Sequence, residues 1–176
     1  MRSSVPAPIP LVLGLTALWL ALFRLQLAFS AQGAEAPPIR AAVWINGDPA
    51  GPIDWRGAVT LVEFWTFGCW NCANVEPHVK AWHEKYGPRG LRVIGVHSPE
   101  LAAEREIDNV RRHVKKNGIT WPIAIDNDFA IWDSFGTHAW PTWYLVDRAG
   151  RIRYAHVGEG AYDETAEKIE KLLAER

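Results

Sequence analysis

Hydrophobic and polar positions divide the chain into a long apolar leader and a series of apolar runs alternating with amphipathic stretches. "VTLVEFW" (Val59 to Trp65) is a β-prone run carrying a single charge, Glu63, as expected of a strand buried on both faces of a parallel sheet. From Asn71 to about Tyr86 the period becomes helical, with Val75, Val79 and Trp82 on one stripe, and "YGPRG" supplies the stop. "LRVIGVHS" reads as a second buried strand. "ELAAEREIDNVRRHVKKNG" reads as one charged amphipathic helix ending at Gly118, with "RRHVKK" (Arg111 to Lys116) as its solvated face. "WPIAIDND" predicts a third strand and "FAIWDSFG" a short helix. "WYLVD" and "RIRYAHV" form a hairpin through "RAG", and "AYDETAEKIEKLLAER" closes the chain as a helix with acids early and bases late. Ahead of these, "AAVWINGDPAGPIDWRG" holds a short strand and a turn-rich approach, and "QGAEAPPIR" reads as a linker.

The order β-α-β-α-β-α-β-β-α predicts an α/β domain from about residue 38 to 176: a central mixed sheet flanked by helices on both faces. A chain of 176 residues, 48% of them apolar, suffices for one such domain with a real core. Charge changes the picture only by exclusion. Nineteen Lys and Arg against 20 Asp and Glu, with no basic run that would track phosphates, argue against a nucleic-acid partner. Ten tryptophans, nine of them after residue 40, predict a dense aromatic core or an aromatic rim around a binding surface.

Residues 1–36 stand apart. Arg2 leads into "LVLGLTALWLALF" (residues 11 to 23), a run of signal-peptide length, and "LQLAF" continues it beyond Arg24. The segment is read as a signal peptide, or an uncleaved membrane tether through residues 11–29, followed by a linker. Small-x-small cleavage sites lie after Ser30 and after Ala36. Either reading exports the domain to an extracytoplasmic compartment, periplasmic or on the outer face of the cytoplasmic membrane, where disulfides form and persist.

The chemistry centres on the only two cysteines, Cys69 and Cys72, a C-x-x-C between the first buried strand and its helix. A structural zinc site wants four ligands, and His78 and His83 on the following helix have the wrong spacing to share a face. Covalent haem attachment wants His where Ala73 stands. A clip around two intervening residues would remove little unfolded-chain entropy. A redox pair explains the placement. Helix N-terminal amides favour a thiolate on Cys69, with such motifs titrating at about 3.5 to 7.5 against about 8.5 for a free thiol. Cys72, one turn inward, is sheltered until it resolves a mixed disulfide. No metal and no cofactor beyond the Cys69–Cys72 dithiol are expected.

"LVEFWTFGCWNC" resembles the active-site strand and motif of the thioredoxin superfamily. Pro77 stands where that superfamily's active-site helix is kinked, "AWPT" is similar to its cis-proline loop, and "YLVDRAGRIRY" to the hairpin after it. Within the superfamily, "FWTFGCWNC", "GVHSPE", "IDNDFAIWDSFG" and "GEGAYDET" are most similar to the exported or membrane-anchored TlpA/ResA-like group, and there to the thioredoxin-like domain of DipZ-type proteins. The resemblance covers about residues 40 to 176. It implies that Cys69 is the nucleophile, Cys72 the resolving thiol, Pro141 cis, and the Trp140 backbone a pairing edge for an extended substrate.

Glu63, six residues before Cys69, stands where the superfamily often carries a buried Asp that manages the resolving cysteine's proton. The residue itself argues the same way, because burial within a β-prone run raises a carboxyl towards the range of a proton shuttle. Trp70, inside the motif, is a substrate-contact candidate. His97 at a strand's carboxyl end and His138 three residues before Pro141 are candidates for tuning the site; Trp65 and Trp132 are read as core. The expected function is an exported thiol–disulfide oxidoreductase that reduces protein disulfides. The resemblance implies protein clients and a membrane thiol-electron donor of the DsbD/CcdA kind. Two alternatives are a Cu(I)-binding module built on the thiolates and the oxidase or isomerase direction of the same chemistry. Trp70 and Asn71 are neither the Pro of strong reductants nor the His of strong oxidants, so the motif leaves the direction open.

Overall fold

The computed structural model describes residues 33–47 and 53–175. The apolar run at residues 11–29 therefore lies outside the described residues, as does the position of Ser30. Six strands form one sheet: β1 (Trp44–Ile45), β2 (Val59–Trp65), β3 (Leu91–His97), β4 (Ile123–Ile125), β5 (Thr142–Val146) and β6 (Ile152–Val157). The four α-helices are α1 (Trp70–Tyr86), α2 (Ile107–Lys116), α3 (Ala130–Ser134) and α4 (Tyr162–Ala174). The strand order is β1-β4-β3-β2-β5-β6. β2, β3 and β4 run parallel, and the β5–β6 hairpin and β1 pair antiparallel, which makes the sheet mixed as expected.

β2 lies between β3 and β5 and is buried at all seven positions, so its side chains divide between two cores. Leu61 and Trp65 pack with Val75, Val79 and Trp82 of α1, Val110 and Val114 of α2, and Ile169 and Leu172 of α4. Val62 and Phe64 pack on the other face with Ile131 and Trp132 of α3, and with Ile39 and Trp55 from the segment before β2. The tryptophans serve mainly as core. Trp55, Trp65, Trp82, Trp121, Trp132 and Trp143 are buried, whereas Trp70 is 78% exposed.

Three expectations need correction. The helix expected from residue 100 to 118 is two elements: a 3-10 turn at Ala102–Arg105 and α2, broken at Glu106, whose backbone is extended. Within the short turn Glu104 directs its carboxylate inward, onto the amides of Gly68, Glu100 and Leu101, which docks this turn on the loop after β2 and sets it off from α2. "RRHVKK" is not wholly solvated, because Val114 is buried and His113 leans on the rings of Trp65 and Phe67. Finally, the stretch read as a linker is stitched to the domain. Gly33 N donates to Ile152 O at 2.6 Å, Ile152 N to Ala34 O at 2.9 Å and Ala36 N to Gly150 O at 2.8 Å, while Ile39 is fully buried.

Candidate active site

β2 ends at Trp65, and the loop Thr66–Gly68 delivers Cys69 as the N-cap of α1. Cys69 keeps extended backbone angles (φ −77°, ψ 119°), and its Sγ accepts from Cys72 N at 3.4 Å. The sulfur thus takes up one of the amides that a helix N-terminus leaves without an intrahelical partner. Both cysteines are free thiols: Cys69 is half-buried and Cys72 buried behind it. Burial pushes the Cys72 thiol far above its ordinary range, and the hydrogen bond with Cys69 adds to the shift. Pro77 lies inside α1, as its place in the motif implied.

Glu63 lies in the middle of β2, only 4% exposed, on the same sheet face as Trp65. Parallel pairing sets it opposite Gly95, and antiparallel pairing sets it opposite Trp143. Desolvation pushes its carboxyl up to about 8, and the nearby negative charge of Glu76 adds to that rise. A narrow cleft joins Glu63 and Cys72 to Glu76 of α1 and His113 of α2. Glu76 is held by Lys80 Nζ at 2.6 Å and by His113 Nε2 at 3.3 Å. Although burial alone would raise it, these two partners carry its carboxyl below the usual value.

The active-site loop is braced from several sides. Glu104, 1% exposed, accepts from Gly68 N at 2.8 Å and from Glu100 N and Leu101 N at 2.6 Å each. A side chain at Gly68 would run into that carboxylate, so glycine here permits the close approach. Phe67 lies between two imidazoles, with ring centroids 5.8 Å from His97 and 5.7 Å from His113. His97 is fully buried, its Nε2 3.3 Å from Thr66 Oγ1, and burial lowers its imidazole to about 4. It therefore stands behind the loop as a neutral brace.

The Trp140–Pro141 peptide bond is cis. Trp140 Nε1 donates to Ser98 O at 3.0 Å, and Ser98 Oγ donates to Asp126 Oδ2 at 2.9 Å. Asp126 in turn accepts from Ile131 N and Trp132 N at the start of α3. Pro141 is buried, and its carbonyl accepts from Gly158 N at 2.8 Å. His138 is exposed, with Nδ1 3.3 Å from Gly136 O, and the described hydrogen bonds do not tie it to the dithiol. Among the described residues no group of three or more His, Cys, Asp and Glu is placed to hold a metal ion.

The structure thus brings Cys69, Cys72 and Glu63 together, ties Trp140 to Ser98 just after β3, leaves Trp70 exposed, and puts His97 behind the loop before Cys69. Sequence reasoning missed Glu76, His113 and Glu104. A signal for His113 was present: it follows Val110 by three residues and precedes Val114, and so belongs to the inward stripe of α2. Glu104 sits three residues after Leu101, the place where an acid reaches back to the amides of a helical turn.

Comparison with known proteins agrees with this geometry. The Redoxin family model matches residues 31–173. Protein DipZ of Mycobacterium bovis is 41% identical over 133 residues, covering 74% of this chain and 19% of that protein, so the chain spans about a fifth of that relative's length. Thiol-disulfide oxidoreductase YkuV of Bacillus subtilis is 27% identical over 132 residues, covering 75% of this chain and 88% of that protein. A solved thioredoxin-like protein in its oxidised form superposes with a TM-score of 0.71 at 25% identity, covering 82% of this chain and 97% of its own. The chain belongs to the Redoxin family, with a thioredoxin-like fold of the TlpA/ResA-like group.

Proposed function

We propose that the protein is an exported thiol–disulfide oxidoreductase that reduces protein disulfides through Cys69 and Cys72. The observation that carries this reading is the pairing of a half-buried Cys69 sulfur at the N-cap of α1 with a buried Cys72 directly behind it. The name of the Bacillus relative, matched along 88% of its length, supports the reaction class.

In this mechanism the Cys69 thiolate attacks a client disulfide, forming a Cys69–client bond and releasing one client thiolate. Cys72 then attacks Cys69 Sγ: the Cys69–Cys72 bond forms, the Cys69–client bond breaks, and the electron pair leaves on the second client sulfur. The proton of Cys72 passes to Glu63, whose carboxyl at about 8 is poised to exchange it near neutral pH. A client strand pairs with the backbone at Trp140 beside Pro141, and exposed Trp70 gives it an apolar contact. Electrons return to the dithiol from a membrane thiol transporter of the DsbD/CcdA kind. The apolar run at residues 11–29 exports the domain, as a cleaved signal or a retained tether.

The test is the equilibrium potential against glutathione, read from tryptophan fluorescence. A value around −250 mV supports the reductase direction, whereas one near about −120 mV overturns it. Cys69→Ser abolishes reduction of a protein disulfide substrate; activity surviving that change would remove Cys69 as nucleophile.

A further inference from the structure

The cleft behind the dithiol has an inner and an outer end. Its inner wall is Glu63, Trp65, Cys72 and Trp121, all buried; its rim includes half-buried Glu76 and His113. The whole cleft offers about 10 Å³, the room of a single water. Two buried donors line this space without a hydrogen-bond partner among the described residues, Trp65 Nε1 and Trp121 Nε1. Both converge on Gly95, the residue paired with Glu63. A Cβ there would meet Ile123 Cδ1 first, at 2.5 Å, then Trp65 Nε1 at 2.8 Å and Trp121 Nε1 at 3.5 Å, so the two indole N–H groups close on the Glu63 side of the strand pair. Buried indole N–H groups rarely go unpaired, and one water beside Glu63 would satisfy them.

We propose that this cleft is the proton path between Glu63 and solvent, with a water seated against the Trp65 and Trp121 indoles at its inner end and the Glu76–His113 pair at its mouth. The inference rests on the reading of Glu63 as acceptor of the Cys72 proton. In the resolving step Cys72 gives its proton to Glu63 as the Cys69–Cys72 bond forms. Glu63 must then lose that proton before the next cycle; it is 4% exposed, flanked by β3 and β5, and lines the cleft. The proton leaves through the water to His113, which exchanges it with bulk solvent.

Glu76 is the fixed anion of the mouth. Lys80 and His113 hold its carboxylate, and it in turn orients the imidazole towards the cleft. The groups facing His113 are Glu76 and Lys80 of α1, Glu63 and Cys72 across the cleft, and His97 beyond Phe67. The charge of Glu76 adds to the burial that keeps the proton on Glu63, so the anion at the mouth shifts the pH at which the buried group works.

Single-turnover resolution of a Cys69–client mixed disulfide in the full chain tests the path, measured at low and high buffer concentration. His113→Ala slows resolution roughly tenfold at low buffer, less than the ~100-fold that a positioned acid or base itself contributes. Added imidazole, entering the opened mouth, restores the rate. Glu63→Gln is slow at every buffer concentration and is not rescued. Glu76→Gln preserves the shape of the mouth and moves the pH midpoint of resolution downward, because Glu63 loses its anionic neighbour. Resolution in His113→Ala equal to the parent at low buffer, alongside a slow Glu63→Gln, overturns the path and leaves the role of Glu63 standing. A Glu63→Gln rate equal to the parent overturns that role, and the path with it. Slowing by His113→Ala that imidazole does not relieve shows a packing defect and also overturns the path.

Discussion

Glu63 and Glu104 are 4% and 1% exposed, and both stand close to the segment that carries Cys69, yet the protein treats them in opposite ways. Glu104 is saturated with backbone amides from Gly68, Glu100 and Leu101, which fix a loop. Glu63 faces tryptophans and a water-sized cleft, and its carboxyl is pushed up to about 8. A buried carboxylate given donors becomes a structural anion; one buried without them holds its proton to a higher pH. The same residue type near one dithiol fixes a loop in one place and, on the function proposed above, moves a proton in the other.

That contrast can be broken at either end. The largest effect is expected at Glu104: Glu104→Ala leaves three amides without their acceptor and costs about 3 kcal/mol or more of stability. Chemical unfolding measures the loss, and Glu104→Gln, which keeps one acceptor oxygen, recovers part of it. Next comes Glu63→Gln, which slows mixed-disulfide resolution by roughly 100-fold while leaving the initial attack of Cys69 nearly intact. Stopped-flow tryptophan fluorescence separates the two steps. Equal slowing of both would erase the distinction between a proton group and a loop brace.

The same change sharpens the comparison through pH. The value of Glu63 in the folded protein, about 8, lies above the 4.5 of an exposed glutamate, so the native state binds the extra proton between those limits. Its contribution to stability is therefore full below 4.5 and lost as pH rises through about 8; Glu63→Gln removes this alkaline decline. His97 slopes the other way. Its folded value of about 4 lies below the ordinary 6.5, so its contribution is full above 6.5 and lost as pH falls through about 4. His97→Gln flattens the acid limb by a change on the order of a few kcal/mol. Midpoints of thermal unfolding across pH resolve the two limbs.

The smallest effect is expected away from the site. Ending the N-terminus at Pro37 removes the pairing of Gly33–Ala36 with Gly150–Ile152 and lowers stability by about 1 kcal/mol, against a form beginning at Ala31. Of the two small-x-small positions in the sequence, cleavage after Ser30 would preserve those bonds and cleavage after Ala36 would remove them.

Much of the architecture was legible because buried strands and amphipathic helices differ in period. β2 and α1 stand out from apolar spacing alone, and Glu63 announced itself as the single charge in a buried run. Glu104 did not, because its neighbours Glu100, Arg105 and Glu106 make it look like one more surface charge. What singles it out is where its carboxylate points, a tertiary fact set by the approach of Gly68 in the loop after β2. His113 was hidden by the charges of "RRHVKK" although its spacing from Val110 placed it inward. The two indoles over Gly95 were beyond reach, since Trp65 and Trp121 are distant in sequence and meet only through the β2–β3–β4 order.

The seam between Gly33–Ala36 and the start of β6 has a geometric consequence. β6 begins level with Val146, which pairs towards the Val59 end of β2, whereas Cys69 follows the Trp65 end. The chain thus enters the domain at one pole and presents its dithiol at the other, about 20 Å away along a seven-residue strand. A support coupled at Gly33 would thus meet the domain at the pole away from Cys69.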